Sequence, residues 1–305
     1  MTGKRVVSSI EIRHLKAFLA LVEHGSFRRA SAALWISQPA LSRTVAQLEH
    51  LLGEKLIVRG NLGVQLSAAG SRFLPHANRT VAAVEDAVGA LSSLPALRVG
   101  FTWNALGAHT GPLINEFEKK FPDSEVELLR IDELPYAGIE DGRSHLAILR
   151  SVPLDSGIAY SVLFEEPRLA VLPREHPLAG EPSVTLAGIR SDPLVVNTVS
   201  GTTSADLWGR ELDAERALVG VRNLEEWLHA VAAGRGIGIT PASTAVLHPH
   251  PLVAYRPLRG VPPVPVLLAW PMDRPHPLVA DFVELARQHC HDGSFAPDLA
   301  TVARS

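Results

Sequence analysis

The stretch SFRRASAALWISQPALSRTVAQLEHLLG, residues 26–53, limits the fold of this chain more tightly than any other. Ser26 is placed to cap a short helix, and Phe27, Ala30, Ala33 and Leu34 line one face of it. Small alanines at 30, 32 and 33 let another helix pack closely. Ser37 is placed to cap a second helix, because its hydroxyl can accept from an orphan N–H. Pro39 is tolerated in that helix's first turn, where no N–H is required. Leu41, Val45, Leu48 and Leu52 then form an apolar stripe, with Pro39, Ser42, Arg43, Ala46 and His50 roughly opposite and Gln38 at the leading end. Glu49 falls near the edge of that polar face. Upstream, Leu15, Phe18, Leu19 and Val22 recur at helical spacing, and Gly25 suits a left-handed C-cap.

Two helices joined by a few residues, the second with a Gln/Ser/Arg outer face, fit a helix-turn-helix whose second helix enters the major groove. Arg43 is suited to guanine and Gln38 to adenine. Arg28, Ser42 and Thr44 are better placed for phosphates. An ordinary α-hairpin with a solvated polar face has the same spacing. The β-like runs 56–59 and 64–66, around the turn residues 60–63, add a hairpin, or wing, after the recognition helix. Arg59 then sits beside the minor groove or a phosphate.

Charge is unevenly spread. Residues 1–95 hold 11 Lys+Arg against 6 Asp+Glu, whereas residues 96–305 hold 18 against 26. A basic first third suits a polyanion, and the acidic remainder has a different role. No apolar run is long enough to span a membrane. Lys4 and Arg5 have no apolar core behind them, so no signal peptide is expected. Cys290 is the single cysteine, so no intrachain disulfide can form, and a cytoplasmic location is expected.

From about residue 10 to 75, in HLKAFLALVEHGSFRRASAAL, ISQPALSRTVAQLEHLLGEKLIVR and VQLSAAG, the chain resembles the N-terminal domain of LysR-type transcriptional regulators. The resemblance implies that Gln38, Pro39, Ser42, Arg43 and Arg59 touch DNA. The wing tip departs from the family, with Asn61-Leu62-Gly63 where a second basic residue is common.

Leu74, Ala77, Val81, Val84, Val88 and Leu91 follow at spacings of 3, 4, 3, 4 and 3. That is an a/d seam of about two and a half heptads. It is expected to pair with a second copy, although an amphipathic helix packed on its own domain has a similar stripe. The family uses this helix for dimerisation, and a dimer would read two half-sites of a partly palindromic operator. Residues 92–95 make a hinge.

Beyond residue 96, strand-like runs at 97–101, 126–131, 145–149, 158–164, 168–172, 194–196 and 236–240 alternate with helical ones at 203–212, 223–233 and 277–289. This predicts an α/β domain of parallel strands. EFEKKFPDSEVEL, AVLPREHPLA and AVAAGRGIGITPAS resemble the family's effector-binding domain. That resemblance implies a periplasmic-binding-protein-like architecture, with two lobes joined near 165–173 and 264–270. Cleft residues come from strand C-termini. They are Thr102 and Asn104, Arg150, and the hydroxyl-rich loop 197–203 with Ser200, Thr202 and Thr203. Such a loop entering a helix, opposed by an Arg, suits a small anion, and the family often senses organic acids. The same hydroxyls could be plain caps, with Arg150 paired to Glu165 or Glu166.

Gly234-Arg235-Gly236-Ile237-Gly238 follows a helix and opens a strand, the reverse of a dinucleotide site. The clusters at 248–250 and 289–291 lack further ligands at metal spacing. No catalytic motif is present, so no enzyme activity, cofactor or metal is expected.

The expected fold is α plus α/β. A winged helix-turn-helix spans 10–67 (helix-turn-helix about 27–46), a linker helix and hinge 68–95, and a two-lobed effector domain 96–305. Lobe I takes about 96–168 and 270–292, and lobe II about 169–269. Expected partners are double-stranded DNA, a small-molecule effector, a second copy in a homodimer or homotetramer, and RNA polymerase for an activator.

Overall fold

A computed structural model describes residues 9–60, 63–89, 91, 96–199, 201–203, 207, 216–273 and 275–291. The chain divides into two compact units, Met1–Pro95 with Glu140–Arg143, and Ala96–Ile139 with Ser144–Ser305.

In the first unit, helices α1 (Ile12–His24), α2 (Phe27–Ala33) and α3 (Gln38–Leu52) precede strands β1 (Ile57–Gly60) and β2 (Gly63–Leu66) and helix α4 (Ala68–Gly89). Local chemistry sets the boundaries. Gly25 and Gly53 close α1 and α3 at φ 62° and 71°, a conformation glycine adopts without a Cβ clash. Ser26 Oγ accepts from Arg29 N at 3.2 Å and Ser37 Oγ from Ala40 N at 3.4 Å. Leu15, Phe18, Leu48 and Leu56 form one core with Ala77 and Val81. Ala30, Leu41 and Val45 form another with Ala17, Ala20 and Leu21. β1 and β2 pair antiparallel, Ile57 opposite Leu66.

Two readings of the sequence change here. Glu49 is buried, not at the edge of a solvated face. Its Oε1 accepts from Leu56 N at 2.9 Å and Ile57 N at 3.1 Å, and Lys55 Nζ pairs with Oε2 at 2.6 Å. The carboxylate therefore ties the wing to α3. The seam on α4 also divides. Ala77 and Val81 are buried in their own domain's core, and the partly buried Leu74 packs against it, so this half of the stripe packs within its own domain. Val84 and Val88 remain exposed. Leu91 is 91% exposed and lies past the end of the helix. A stripe at 3.5-residue spacing does not encode which half meets its own domain. The hinge at 92–95 lies outside the described residues.

In the second unit, lobe I is a five-stranded sheet in the order β4 (Val126–Arg130), β3 (Leu97–Phe101), β5 (Leu146–Leu149), β13 (Val264–Pro271) and β6 (Ile158–Glu166). Helices α5 (Thr110–Lys120) and α8 (Val279–His291) pack on it through Leu113, Phe117 and Phe282. Lobe II has the order β11 (Gly238–Pro241), β7 (Arg168–Pro173), β12 (Val253–Arg259) and β8 (Val184–Thr185). It also holds the parallel pair β9 (Leu194–Asn197) and β10 (Leu218–Val221), and helices α6 (Leu224–Ala232) and α7 (Ser243–Leu247).

The sheets are mixed, not wholly parallel. β3 runs parallel to β4 and β5, while β13 runs antiparallel to β5 and β6. Both β11 and β12 oppose β7. Residues 264–269 therefore belong to lobe I's sheet, and the chain crosses between lobes at residue 167 and over 260–263. An apolar run does not reveal its sheet neighbours, which is why the second crossing was expected too late. Most of the helix expected over 203–212 lies outside the described residues. Among the described residues, no helix is long and apolar enough to cross a membrane.

Glu49 yields a pH prediction. Burial raises its pKa, but Lys55 and the N–H groups of Ile57 and Leu56 outweigh burial and hold it below the ordinary carboxylate range. A lowered folded pKa gives stability that is present above the unfolded value and lost as pH falls through the folded one. Glu49→Gln should cost about 1–3 kcal/mol at neutral pH and less in acid. Thermal melts at pH 7 and pH 4 check this, and equal losses at both would contradict it.

Candidate DNA-reading face and effector cavity

α3 presents an exposed leading end of Ser37, Gln38 and Pro39, followed by exposed Arg43, Ala46, Gln47 and His50. Ser42 is half-buried beside Arg43, and Arg28 is exposed on α2. With Glu49 folded inward, the exposed surface of α3 carries no acid. Thr44 Oγ1 donates to Ala40 O at 3.0 Å, so its one donor serves the helix and not a phosphate. Arg59 lies in the wing opposite Val64, but its side chain lies outside the described residues. Sequence reasoning overlooked Trp35, exposed in the turn just ahead of Ser37. Its helical spacing gave no sign of it, since Trp35 lies on neither apolar stripe.

In the second unit, a small cavity of about 20 Å³ is walled by Trp103, Leu224, Trp227 and Ile239. Its polar lining includes Asn197, Thr202, Thr203 and Thr240. Trp227 is fixed by its Nε1, which donates to Val195 O at 2.9 Å. A Cβ at Gly238 would overlap that indole. Thr203 Oγ1 donates to Ile239 O at 3.1 Å. Thr202 Oγ1 is buried with no partner among the described residues. Of the expected effector contacts, Thr202 and Thr203 reach the cavity, and Ser200 lies outside the described residues.

Thr102, Asn104 and Arg150 do not line the cavity. Thr102 is buried. Asn104, at φ 59°, donates from Nδ2 to Ser243 Oγ at 3.1 Å and Thr244 Oγ1 at 2.8 Å. Arg150 is buried. It donates from Nη1 to Trp103 O at 2.9 Å and pairs through Nη2 with Glu166 Oε1 at 3.2 Å. Glu166 Oε2 in turn accepts from Ser243 N at 3.2 Å and Oγ at 2.6 Å. The hydroxyls of Thr244 and Thr240 meet at 2.6 Å. A polar chain thus runs from Arg150 in lobe I to Thr240 on the cavity wall in lobe II. Burial lowers the Arg150 pKa and Glu166 opposes that. Burial likewise holds nearby His109 at about 4, reinforced by His289 and opposed by Glu166.

Arg168, which the sequence did not single out, is 9% exposed at the start of β7. Its Nε donates to Pro262 O at 3.0 Å and its Nη1 to Thr202 O at 2.9 Å. Both partners are carbonyls, and no carboxylate among the described residues pairs with it. Burial lowers its pKa. Burial also pushes the Cys290 thiol up to about 11. No group of three or more His, Cys, Asp or Glu among the described residues could hold a metal ion.

Comparison with known proteins agrees with this division. The family described as bacterial regulatory helix-turn-helix protein, lysR family, matches residues 12–71, and the LysR substrate binding domain matches residues 94–291. The chain is 31% identical over 256 residues to the uncharacterized HTH-type transcriptional regulator YnfL of Escherichia coli (strain K12), covering 77% of this chain and 83% of that protein. It is 28% identical over 292 residues to the Hca operon transcriptional activator HcaR of the same organism, covering 92% and 98%. Its fold is similar to that of full-length CbnR solved with its target DNA, with a TM-score of 0.64, 24% identity, and 92% and 100% covered. This chain belongs to the LysR family of transcriptional regulators, which are not enzymes but pair a DNA-binding helix-turn-helix with an effector-binding domain.

Proposed function

We propose that this protein is a ligand-responsive regulator that reads a partly palindromic DNA site as a homodimer or homotetramer in the cytoplasm. The observation that carries the DNA reading is the acid-free exposed surface of α3, with Gln38, Pro39 and Arg43 at its leading end. Arg43 reads a guanine edge and Arg28 a phosphate. The exposed strip of Val84, Val88 and Leu91 is the pairing surface. A two-fold pair sets two recognition helices about one DNA turn, or a multiple of it, apart.

The effector is a small organic anion held in the cavity walled by Trp103 and Trp227. Arg150 is not its counter-ion, because Glu166 already answers that charge. Arg168 fits better: it stands behind the cavity lining and donates to the carbonyl of Thr202. A buried cation whose partners among the described residues are neutral carbonyls is costly, and an anion beside Thr202 would offset that cost. Ligand binding alters lobe geometry and, through it, the spacing of the DNA heads. This counts as coupling only if the two arrangements bind ligand unequally. An activator of this design also contacts RNA polymerase.

Arg43→Ala should cost about 1–3 kcal/mol on the operator and relax preference at one base pair. Arg28→Ala should weaken all duplexes alike and flatten the salt slope by about one unit. Gel shifts on the chain's own upstream region over a salt series measure both, and a uniform loss for Arg43→Ala would make it a phosphate contact. A thermal-shift screen of small carboxylates on the full chain tests the cavity. Arg168→Ala should weaken any hit about tenfold or more, since a charge-assisted bond is worth ~1.5–3 kcal/mol. Unchanged binding would remove Arg168 from the site.

A further inference from the structure

Trp35 occupies the turn between α2 and α3 with φ 54° and is 94% exposed. Either fact would be unusual, and together they call for a cause. A left-handed backbone is disfavoured for a residue with a Cβ, and more so for a bulky one. This kind of turn often carries glycine. An indole left in water also forgoes the burial that stabilises most tryptophans. Among the described residues, nothing covers the ring to offset either cost. The turn itself is well held, because Trp35 N donates to Ala32 O and Ile36 N to Ser31 O, both at 3.1 Å. Strain kept at an ordered, exposed position points to a role outside the folded chain.

Trp35 begins an unbroken exposed run through Ile36, Ser37, Gln38 and Pro39, so it continues the DNA-reading face. No acidic residue occurs from 26 to 48, whereas Arg28, Arg29 and Arg43 all fall there and are exposed. The occupant that suits this surface is therefore anionic. The Trp35 indole Nε1–H has no acceptor among the described residues, which fits a phosphate oxygen. The ring's apolar face fits a deoxyribose. Neither contact requires a base edge.

We propose that Trp35 packs on the sugar–phosphate backbone flanking the groove entered by α3, adding affinity without sequence preference. The assignment rests on the DNA-binding reading of the first unit and adds a residue to it.

The test uses the full chain and two variants. Trp35→Asn puts a residue tolerant of the left-handed region in its place, and Trp35→Phe keeps a ring but removes the donor. Titrations by fluorescence anisotropy on an operator duplex and an unrelated duplex, over a salt series, should show Trp35→Asn about five- to tenfold weaker on both. The salt slope should not change, because no cation is lost. Trp35→Phe should fall between. The melting temperature of DNA-free Trp35→Asn should rise, because strain and an exposed ring are removed. Weaker binding with a lower melting temperature would make Trp35 a structural residue and overturn the proposal. A loss confined to the operator duplex would make it a base reader and overturn it too. Unchanged affinity, with or without altered oligomeric mass or transcription activation, would assign the ring elsewhere or to a protein partner. A wild-type chain that binds neither duplex would sink the DNA-binding reading itself, and this assignment with it.

Discussion

The effector-binding unit is organised around one buried ion pair, Arg150 with Glu166. Arg150 follows β5 and Glu166 ends β6, one residue before the chain crosses to lobe II. Removing two charges from water costs about as much as their attraction returns, so such a pair is weak evidence for stability. Its effect is geometric. Every remaining polar valence of Glu166 Oε2 is directed at Ser243 of lobe II, and Asn104 reaches the same helix start from the loop after β3. Trp103 leaves lobe I to join the apolar cluster of lobe II, with the Arg150 guanidinium 5.3 Å from its ring centroid. The lobes are therefore joined by a network in which moving one member leaves others unsatisfied.

The same pair explains why the cavity's charge differs from the simplest expectation. A lone Arg at a strand end invites assignment to a bound anion. Glu166 satisfies it instead, and Arg168, two positions later and across the crossing, is held by the carbonyls of Pro262 and Thr202. Of these two cations, Arg168 has no carboxylate partner among the described residues, and its neighbour Thr202 lines the cavity.

In the DNA-reading unit, the corresponding constraint is the placement of α3. Its start is set by the Ser37 cap and Pro39, its end by Gly53, and its position over the wing by Glu49. A recognition helix gains specificity only if its side chains arrive at fixed positions, because discrimination between bases depends on bidentate geometry. A buried carboxylate joined to two backbone N–H groups supplies that rigidity and leaves the exposed surface of α3 without an acid.

Local chemistry determined much of this protein from the sequence alone. The capping serines, the glycines after α1 and α3, and the apolar stripes of both helices are short-range features, so residues a few positions apart were enough to place them. Family resemblance carried the effector domain further than periodicity did. What only the tertiary structure decided was partnership. Arg150 and Asn104 look like ligand groups until residues 16 to 140 positions away close around them, and Glu49 looks like a surface group until the wing, six to eight positions on, folds back against it. The seam on α4 looks uniform until α1 covers Ala77 and Val81 and leaves Val88 bare. Strand direction, the choice of lobe for β13 and the isolation of Arg168 depend on contacts between residues tens to more than a hundred positions apart, and no local pattern records them.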